Sequence, residues 1–233
     1  MRRFSDITVL VDRSGSMSSI KTAMESGFDE FLTEHRKTPS TRLTLVQFDE
    51  PALSNRFYKR ANIIHVDYEA LPIAEAGKLV LNPRGNTPLY DAVCQTIDRT
   101  GTRLANVPAA DRPDQVLFVI ITDGQENSSQ QYRVADVRQR IEHQQGAYNW
   151  HFTFLGANQD AFKEAVDMGI PIAATLNYSA TGQHTNSAWR GMTKSSANLV
   201  GRATSDICYA SEVRSSTLTA DEQHKAVVPT ETK

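Results

Sequence analysis

Four apolar runs, rich in β-branched residues, are the feature that most constrains the fold of this chain. They cover residues 6–11, 42–48, 116–122 and 150–155. The first, third and fourth runs are continuous rather than alternating, which is typical of strands covered on both faces in a parallel sheet. The sequence therefore predicts a mostly parallel sheet with helices on both faces.

Helical spacing of apolar residues characterises the stretches between these runs. The pattern predicts helices over residues 20–35, 89–104, 134–145 and 160–168. This alternation of strand and helix indicates an α/β fold with a Rossmann-like, doubly wound sheet. Residues 62–66 are predicted to form a short antiparallel edge strand, paired with residues 42–48 through a loop at residues 50–60.

The C-terminal part of the chain has a weaker pattern. Residues 172–177 are predicted to form a last short strand, and residues 185–204 a final helix. From Ser211 onward the composition is polar and lacks a core-forming pattern, so we expect a segment that is mobile or docks only on a partner. The predicted organisation is a domain over residues 1–178, a helical extension over 179–210 and a polar tail over 211–233.

Charge and composition exclude several classes of protein. Lys and Arg number 25 and Asp and Glu number 27, a net charge of −2, so no basic excess points to nucleic acid. No segment is long enough to span a membrane, and the first apolar run is too short and too acidic for a signal peptide. Cys94 and Cys208 have no metal-type spacing and are predicted to be unpaired thiols. We therefore expect a cytoplasmic protein that binds neither nucleic acid nor membrane.

Side-chain oxygens are concentrated where the predicted strands end. They belong to Asp12, Ser14, Ser16, Thr87 and Asp123. The first three follow residues 6–11 in a D-x-S-G-S pattern, the fourth opens the helix at residue 89, and the fifth follows residues 116–122. Ligands of open parallel sheets bind outside the carboxyl ends of the strands. Oxygen ligands with one or two carboxylates suit a hard divalent cation such as Mg²⁺ or Mn²⁺, so these five residues predict a metal site.

Three motifs occur in a fixed order along the chain. D-x-S-G-S follows the first strand, G-N-T-P-L-Y-D-A opens a helix, and I-I-T-D-G follows a later strand. In these motifs the chain resembles the von Willebrand factor type A domain, over about residues 4–178. The resemblance is closest to stand-alone domains of bacteria and phages. They share the motifs V-L-V-D-R-S-G-S-M, L-V-Q-F-D, I-I-T-D-G-x-E-N and F-x-F-L-G-A-N-Q-D, here at residues 9–17, 45–49, 120–127 and 152–160.

The resemblance implies a metal-ion-dependent adhesion site that holds Mg²⁺, with Mn²⁺ or Ca²⁺ as alternatives. Ser14 and Ser16 would bind the ion directly, and Thr87 directly or through water. Asp12 and Asp123 would accept hydrogen bonds from metal-bound water and from the serine hydroxyls. Since such a site carries little direct negative charge, the ion stays electrophilic and takes an Asp or Glu from a partner. We expect Asp12 at the rim rather than in the core, so that Asp12→Ala abolishes metal binding and leaves the fold.

Simpler structural roles compete with these interpretations. Asp12 and Ser14 could cap the N-terminus of the helix that follows. Asp91 could face the site from its helix, but we interpret it as an ordinary surface acid, and Asp49 as a residue of a strand-end turn. Other polar residues near this edge either line a binding rim, solvate it or cap a helix: Glu126, Asn127, Asn158, Gln159 and Asp160.

Several catalytic signatures do not occur in the sequence. It has no H-x-x-x-H spacing for zinc, no G-x-S-x-G around a serine and no glycine-rich phosphate loop. The expected function is metal-dependent protein binding and not catalysis, with an AAA+ ATPase or a stress or defence component as the partner that the resemblance implies. Two alternatives stay open. One is a metal-dependent phosphohydrolase or phosphotransferase that uses Asp91 or Asp49 as a further acid. The other is self-assembly through an acid of another copy.

Overall fold

A six-stranded sheet forms the centre of the fold in the computed structural model, which describes residues 4–38, 40–50, 62–157, 160–201, 204–220 and 222–223. The strands are β1 (Ser5–Asp12), β2 (Thr41–Phe48), β3 (Ile64–Pro72), β4 (Gln115–Thr122), β5 (Trp150–Gly156) and β6 (Thr175–Asn177). The helices are α1 (Lys21–His35), α2 (Leu89–Ala105), α3 (Val134–Tyr148), α4 (Ala161–Asp167), α5 (Gly182–Val200) and α6 (Ser211–Ser216). Most of the predicted loop at residues 50–60 lies outside the described residues.

The strand order is β3-β2-β1-β4-β5-β6, with only β2 and β3 antiparallel among the neighbouring pairs. The predicted α/β fold, with its mostly parallel sheet, antiparallel edge strand and helices on both faces, is therefore confirmed. The chain winds outward in both directions from β1, so the order reverses between β1 and β4. Because ligands of such sheets bind at this reversal, the carboxyl ends of β1 and β4 mark the expected site.

Burial explains why three of the strands have continuous apolar sequences. Every residue of β1 and β5, and all but the first residue of β4, is buried. The edge strand β3 is half-buried and extends to Pro72, beyond the predicted end at residue 66. Asp67 and Glu69 interrupt its apolar pattern, which is why the sequence indicated a shorter strand. Backbone pairing with β2, interrupted by register shifts, holds this longer strand in place.

The C-terminal helices belong to the same core as the sheet. Helix α5 packs on α1, and Trp189 of α5 is buried against Gly27 of α1. A Cβ atom at Gly27 would lie 2.3 Å from Trp189 Cγ, so only glycine permits this approach. The described residues include no helix with the length and apolarity needed to cross a bilayer.

The segment that begins at Ser211 includes a short helix with contacts to the rest of the domain. Helix α6 packs on α5, Thr217 Oγ1 donates to the carbonyl of Asn177 at 2.6 Å, and Leu218 is buried. Residues 211–220 thus contact this chain's own domain, and the mobility of the tail stays a prediction. The remaining tail, residues 224–233, lies outside the described residues.

Candidate metal centre

The turn after β1 is organised by the carboxylate of Asp12. Its Oδ1 accepts the N–H of Ser14 at 2.6 Å, and a short 3₁₀ helix, Gly15–Ser19, follows. This turn places Ser14 Oγ 3.1 Å from Ser16 Oγ. Ser14 makes no side-chain capping bond, and α1 begins only after Ile20. The alternative of a simple helix cap for Asp12 and Ser14 is therefore not what the structure shows.

The loop before α2 is bonded to this turn through the main chain. Gly15 N–H donates to the carbonyl of Gly85 at 3.1 Å, and Arg84 N–H donates to that of Arg13 at 2.9 Å. Thr87, which follows Gly85 by two residues, is buried, and its N–H donates to Asn127 Oδ1 at 2.9 Å. These bonds fix the position of the Thr87 hydroxyl relative to the β1 turn.

The end of β4 supplies the third part of the site. Thr122 Oγ1 donates to Asp12 Oδ2 at 2.6 Å and accepts the N–H of Gly124 at 3.1 Å. Ser16 Oγ donates to Asp123 Oδ1 at 2.6 Å. The carboxyl ends of β1 and β4 are therefore connected by two short hydrogen bonds, one on each carboxylate.

These oxygens converge on one point beside Gly124. A Cβ atom at Gly124 would lie 3.0 Å from Thr87 Oγ1, 3.6 Å from Ser16 Oγ and 3.7 Å from Asp12 Oδ2. Since Ser14 and Asp123 both lie within hydrogen-bonding distance of Ser16, the structure brings together all five residues of the predicted site: Asp12, Ser14, Ser16, Thr87 and Asp123.

The donor set consists of hydroxyls and two carboxylates. In the part of the chain that the structure describes, no group of three or more His, Cys, Asp or Glu side chains could hold a metal ion. The five converging oxygen side chains instead fit a small hard cation, which prefers oxygen ligands.

Burial makes ionisation of both acids unfavourable in the protein alone. Asp12 has no solvent exposure, and this burial raises its pKa to about 7, although hydrogen bonds from Thr122 and Ser14 oppose the shift. Burial also raises the pKa of Asp123, against the hydrogen bond from Ser16. A cation at this site would compensate the buried negative charge. The expectation that Asp12 lies at the rim is wrong, whereas Ser16 is exposed and forms the solvent-facing side.

Asp91 and Glu126 hold the loop that follows β4. Asp91 is completely buried and accepts the N–H groups of Gln130, Gln131 and Tyr132 at 2.9, 3.0 and 2.7 Å, so its interpretation as a surface acid is wrong. Glu126 accepts the N–H of Tyr90 at 2.9 Å, in the first turn of α2. Together with the Asn127 bond to Thr87, these contacts attach the loop to the start of α2.

The other acids near this edge have separate surroundings. Asp49 is completely buried, and its carboxylate contacts Arg13, Arg84 and His65. It therefore connects three segments of the chain and is not simply a residue of a strand-end turn. Asp160 precedes α4, and its Oδ2 accepts a bond from Gln125 Nε2 at 3.3 Å. Asn158 and Gln159 lie outside the described residues.

Two residues that support the site were not among the predicted ones. Thr122 orients Asp12, and Gly124 leaves open the space on which the oxygens converge. The I-I-T-D-G motif carried a signal for Thr122, because a hydroxyl at the end of a buried strand needs a polar partner. The role of Gly124 follows only from the meeting of three loops.

No family model matches the chain, and no curated protein matches it. Among solved structures, the chain is similar to the open conformation of the pilus adhesin SpaC from Lactobacillus rhamnosus GG (TM-score 0.60, 12% identity, 85% of this chain and 30% of that chain). It is also similar to proximal thread matrix protein 1 from the mussel byssus, solved with a zinc-occupied MIDAS motif (TM-score 0.56, 13% identity, 81% of this chain and 46% of that chain).

A third similar structure is a von Willebrand factor type A protein from Catenulispora acidiphila (TM-score 0.51, 17% identity, 84% of this chain and 43% of that chain). The chain spans less than half the length of each of these three structures. At such identities the similarity concerns the fold alone. The fold is that of von Willebrand factor type A domains.

Proposed function

We propose that this chain is a metal-dependent protein-binding domain, in which an Asp or Glu of a partner protein completes the coordination of a divalent cation. The residues that would hold the cation are Asp12, Ser14, Ser16, Thr87 and Asp123. The observation that carries this proposal is the convergence of their oxygens, from three loops, beside Gly124. The zinc-occupied MIDAS motif of the mussel protein, on the same fold, supports it. We propose Mg²⁺ or Mn²⁺ as the ion, with Ca²⁺ as an alternative, because every donor is oxygen.

The protein's own groups keep these donors in place before a partner arrives. Thr122 Oγ1 and Ser14 N–H each bind one oxygen of Asp12, and Ser16 Oγ binds Asp123. A bound cation would supply an open coordination position, and the three hydroxyls would add no negative charge to it. The exposed side of Ser16 is the direction from which a partner carboxylate would enter.

Two observations favour binding over phosphoryl chemistry. The phosphohydrolase alternative needs a further acid, and the sequence offers only Asp91 or Asp49. The first is engaged by three main-chain N–H groups, and the second by two arginines and a histidine. We therefore propose a binding domain rather than an enzyme, and place it in the cytoplasm, where its free cysteines stay reduced.

Calorimetric titration of Mg²⁺ and Mn²⁺ into chelator-treated protein tests the metal site. We expect saturable binding to the wild type, loss of that binding in Asp123→Ala, and unchanged binding in Asp29→Ala. Asp29 is a suitable control because it is a partly exposed acid of α1, paired with Lys78. Equal binding by Asp123→Ala and the wild type, or a folded wild type that binds neither ion, would contradict the proposal.

A steric variant locates the ion independently of charge. In Gly124→Ala the new methyl group would enter the space between Thr87, Ser16 and Asp12, so we expect metal affinity to fall at least about tenfold. Gly146→Ala is the matched control, because a Cβ there has no atom within 4 Å. A Gly124→Ala protein that folds and binds metal like the wild type would place the ion elsewhere.

A further inference from the structure

A cluster of charged side chains, here called the Asp49 cluster, lies beside the proposed metal site. It consists of Asp49, Arg13, Arg84 and His65. The buried carboxylate of Asp49 lies 3.1 Å from Arg13 Nη2, 2.5 Å from Arg84 Nε and 3.0 Å from His65 Nε2. Both guanidinium groups stay ionised at neutral pH, and one carboxylate neutralises only one of them. Among these four side chains, two arginines are therefore paired with a single carboxylate.

The two loops that carry Arg13 and Arg84 also carry most of the proposed metal donors. Arg13 stands between Asp12 and Ser14, and the N–H of Arg84 donates to the carbonyl of Arg13 at 2.9 Å. Arg84 precedes Thr87 by three residues, so their Cα atoms are at most about 11 Å apart. Main-chain hydrogen bonds thus hold both arginines on the two loops that carry four of the five proposed donors.

Arg84 is the most exposed member of the cluster. Its side chain is 52% exposed, whereas that of Arg13 is 12% exposed. In its contacts with described residues the Arg84 side chain bonds only through Nε, to Asp49. Its two terminal nitrogens therefore keep the fork of donors that matches a carboxylate.

We propose that the partner segment carries two carboxylates, of which one completes the metal site and the other binds Arg84. This inference rests on the proposed function and adds the chemistry of the partner to it. In an extended segment, side chains two residues apart lie on the same face and about 7 Å from each other. A partner sequence of the kind acid-x-acid therefore presents two carboxylates on the same side, as this proposal requires.

Nuclear magnetic resonance titration of the full chain in Mg²⁺ tests this with two peptides. The first is acetyl-Gly-Asp-Ala-Glu-Gly-amide, and the second replaces its Glu by Gln. We expect the wild type to bind the diacid peptide about three- to fivefold more tightly than the monoacid peptide, the range of a half-exposed ion pair. Arg84→Gln should bind both peptides with the affinity that the wild type has for the monoacid peptide. The four affinities form a double-mutant cycle on Arg84 and the Glu of the peptide.

Two further variants separate the effect of Arg84 from that of general charge. Arg99→Gln removes an arginine that is similarly exposed and paired with Glu69, so it should keep the wild-type preference. Arg84→Lys, which keeps the charge and loses the planar fork, should keep part of it. Equal affinity of the wild type for both peptides would overturn the inference. An equal loss of affinity for both peptides in Arg84→Gln would also overturn it, because that result indicates only a long-range electrostatic effect of the arginine charge.

Controls with the metal distinguish this inference from the proposed function. If the monoacid peptide binds in Mg²⁺ and not in EDTA, while Arg84→Gln has no effect on the preference, only the two-carboxylate inference fails. If neither peptide shifts any resonance of the Mg²⁺-loaded chain, the proposed function fails together with it.

Discussion

At the scale of single residues, Asp12 combines a functional position with an unfavourable environment. It is completely buried, and its two oxygens accept short bonds from Ser14 N–H and Thr122 Oγ1. Its pKa of about 7, raised by burial, means that near neutral pH the metal-free fold resists ionisation of this group. The proposed cation reverses this effect, so the residue that prepares the site also destabilises the protein until the ion binds.

Asp12→Asn should therefore stabilise the metal-free protein in a pH-dependent way. The pKa of Asp12 is about 7 in the fold and near 3.8 when unfolded, so the unfolded state loses its proton first. The free energy of unfolding of the wild type should then fall as pH rises from about 4 to 7, by at most about 4 kcal/mol. The variant lacks this decrease, because its amide does not titrate.

Urea denaturation of chelator-treated wild type and Asp12→Asn, between pH 4 and pH 8, measures this difference. We expect the variant to gain stability relative to the wild type across that range and to bind no Mg²⁺ at pH 8. A constant difference between the two proteins at every pH would show that Asp12 is ionised throughout in the fold.

The proximity of the five residues of the proposed site could be predicted because each lies at a strand end or a helix start. The roles of Asp91 and Asp49 could not be predicted, since their partners lie far away in sequence. The N–H groups on Asp91 belong to residues about forty positions later, and Asp49 contacts Arg13 and Arg84 from two other loops. A local pattern cannot distinguish such buried acids from exposed ones.

At the scale of elements, the loop between β4 and α3 is held by acids of its own and of α2. Asp91 binds the N–H groups of residues 130–132, Glu126 binds that of Tyr90, and Asn127 binds that of Thr87. The loop carries Gly124 at one end and fixes Thr87 from the side. The conformation of this loop therefore determines where Gly124 and Thr87 lie in the proposed metal site.

Asp91→Ala should weaken both the fold and the metal site, although this acid is not one of the proposed ligands. The substitution leaves three N–H groups without their carboxylate, which we expect to cost about 3 kcal/mol of unfolding free energy. Asp98→Ala, on the same helix, removes an exposed partner of Arg140 and should cost less than about 1 kcal/mol.

Thermal or urea unfolding, together with Mg²⁺ titration, checks this prediction on folded Asp91→Ala protein. We expect Mg²⁺ affinity to fall several-fold, since Thr87 is less firmly positioned, and to remain unchanged in Asp98→Ala. Wild-type stability of Asp91→Ala would mean that the loop holds its conformation without the acid.

Elements were predictable where burial on both faces imposes a continuous apolar sequence. The ends of β1, β4 and β5 agree with the predicted runs to within one residue. The short helix α6 could not be predicted, because Ser211–Ser216 has no apolar stripe of its own. It is stabilised by contacts with α5, where Val213 covers Gly191. Such elements depend on tertiary packing that the local sequence does not encode.

At the scale of the whole molecule, the site is a consequence of strand order. Strands β1 and β4 are far apart in sequence but adjacent in the sheet, and their register pairs Val11 with Ile121. Asp12 and Thr122 therefore follow at the same level, which permits the bond between their side chains. Since helices α1 and α2 leave from the same edge, the turns before them can meet these strand ends.

The surface of the whole molecule also bears on self-assembly, the alternative in which another copy supplies the acid. A stable interface needs about 800 Å² on each partner, with an apolar centre. The large apolar side chains exposed in the described residues belong to four separate segments: Val80, Tyr148, Val166 and Ile172. A contact between the acid of one copy and the metal of the next is also heterologous, and it forms open chains unless a rotation closes it.

We therefore expect a monomer in both Mg²⁺ and EDTA when size-exclusion chromatography with light scattering is run at about 100 μM protein. Asp123→Ala should elute like the wild type under both conditions, because no contact between copies depends on the metal. A larger species that Mg²⁺ produces, EDTA removes and Asp123→Ala fails to form would contradict this expectation. It would show that the acid that fills the site comes from this chain itself, so that the partner is a second copy and the function is assembly.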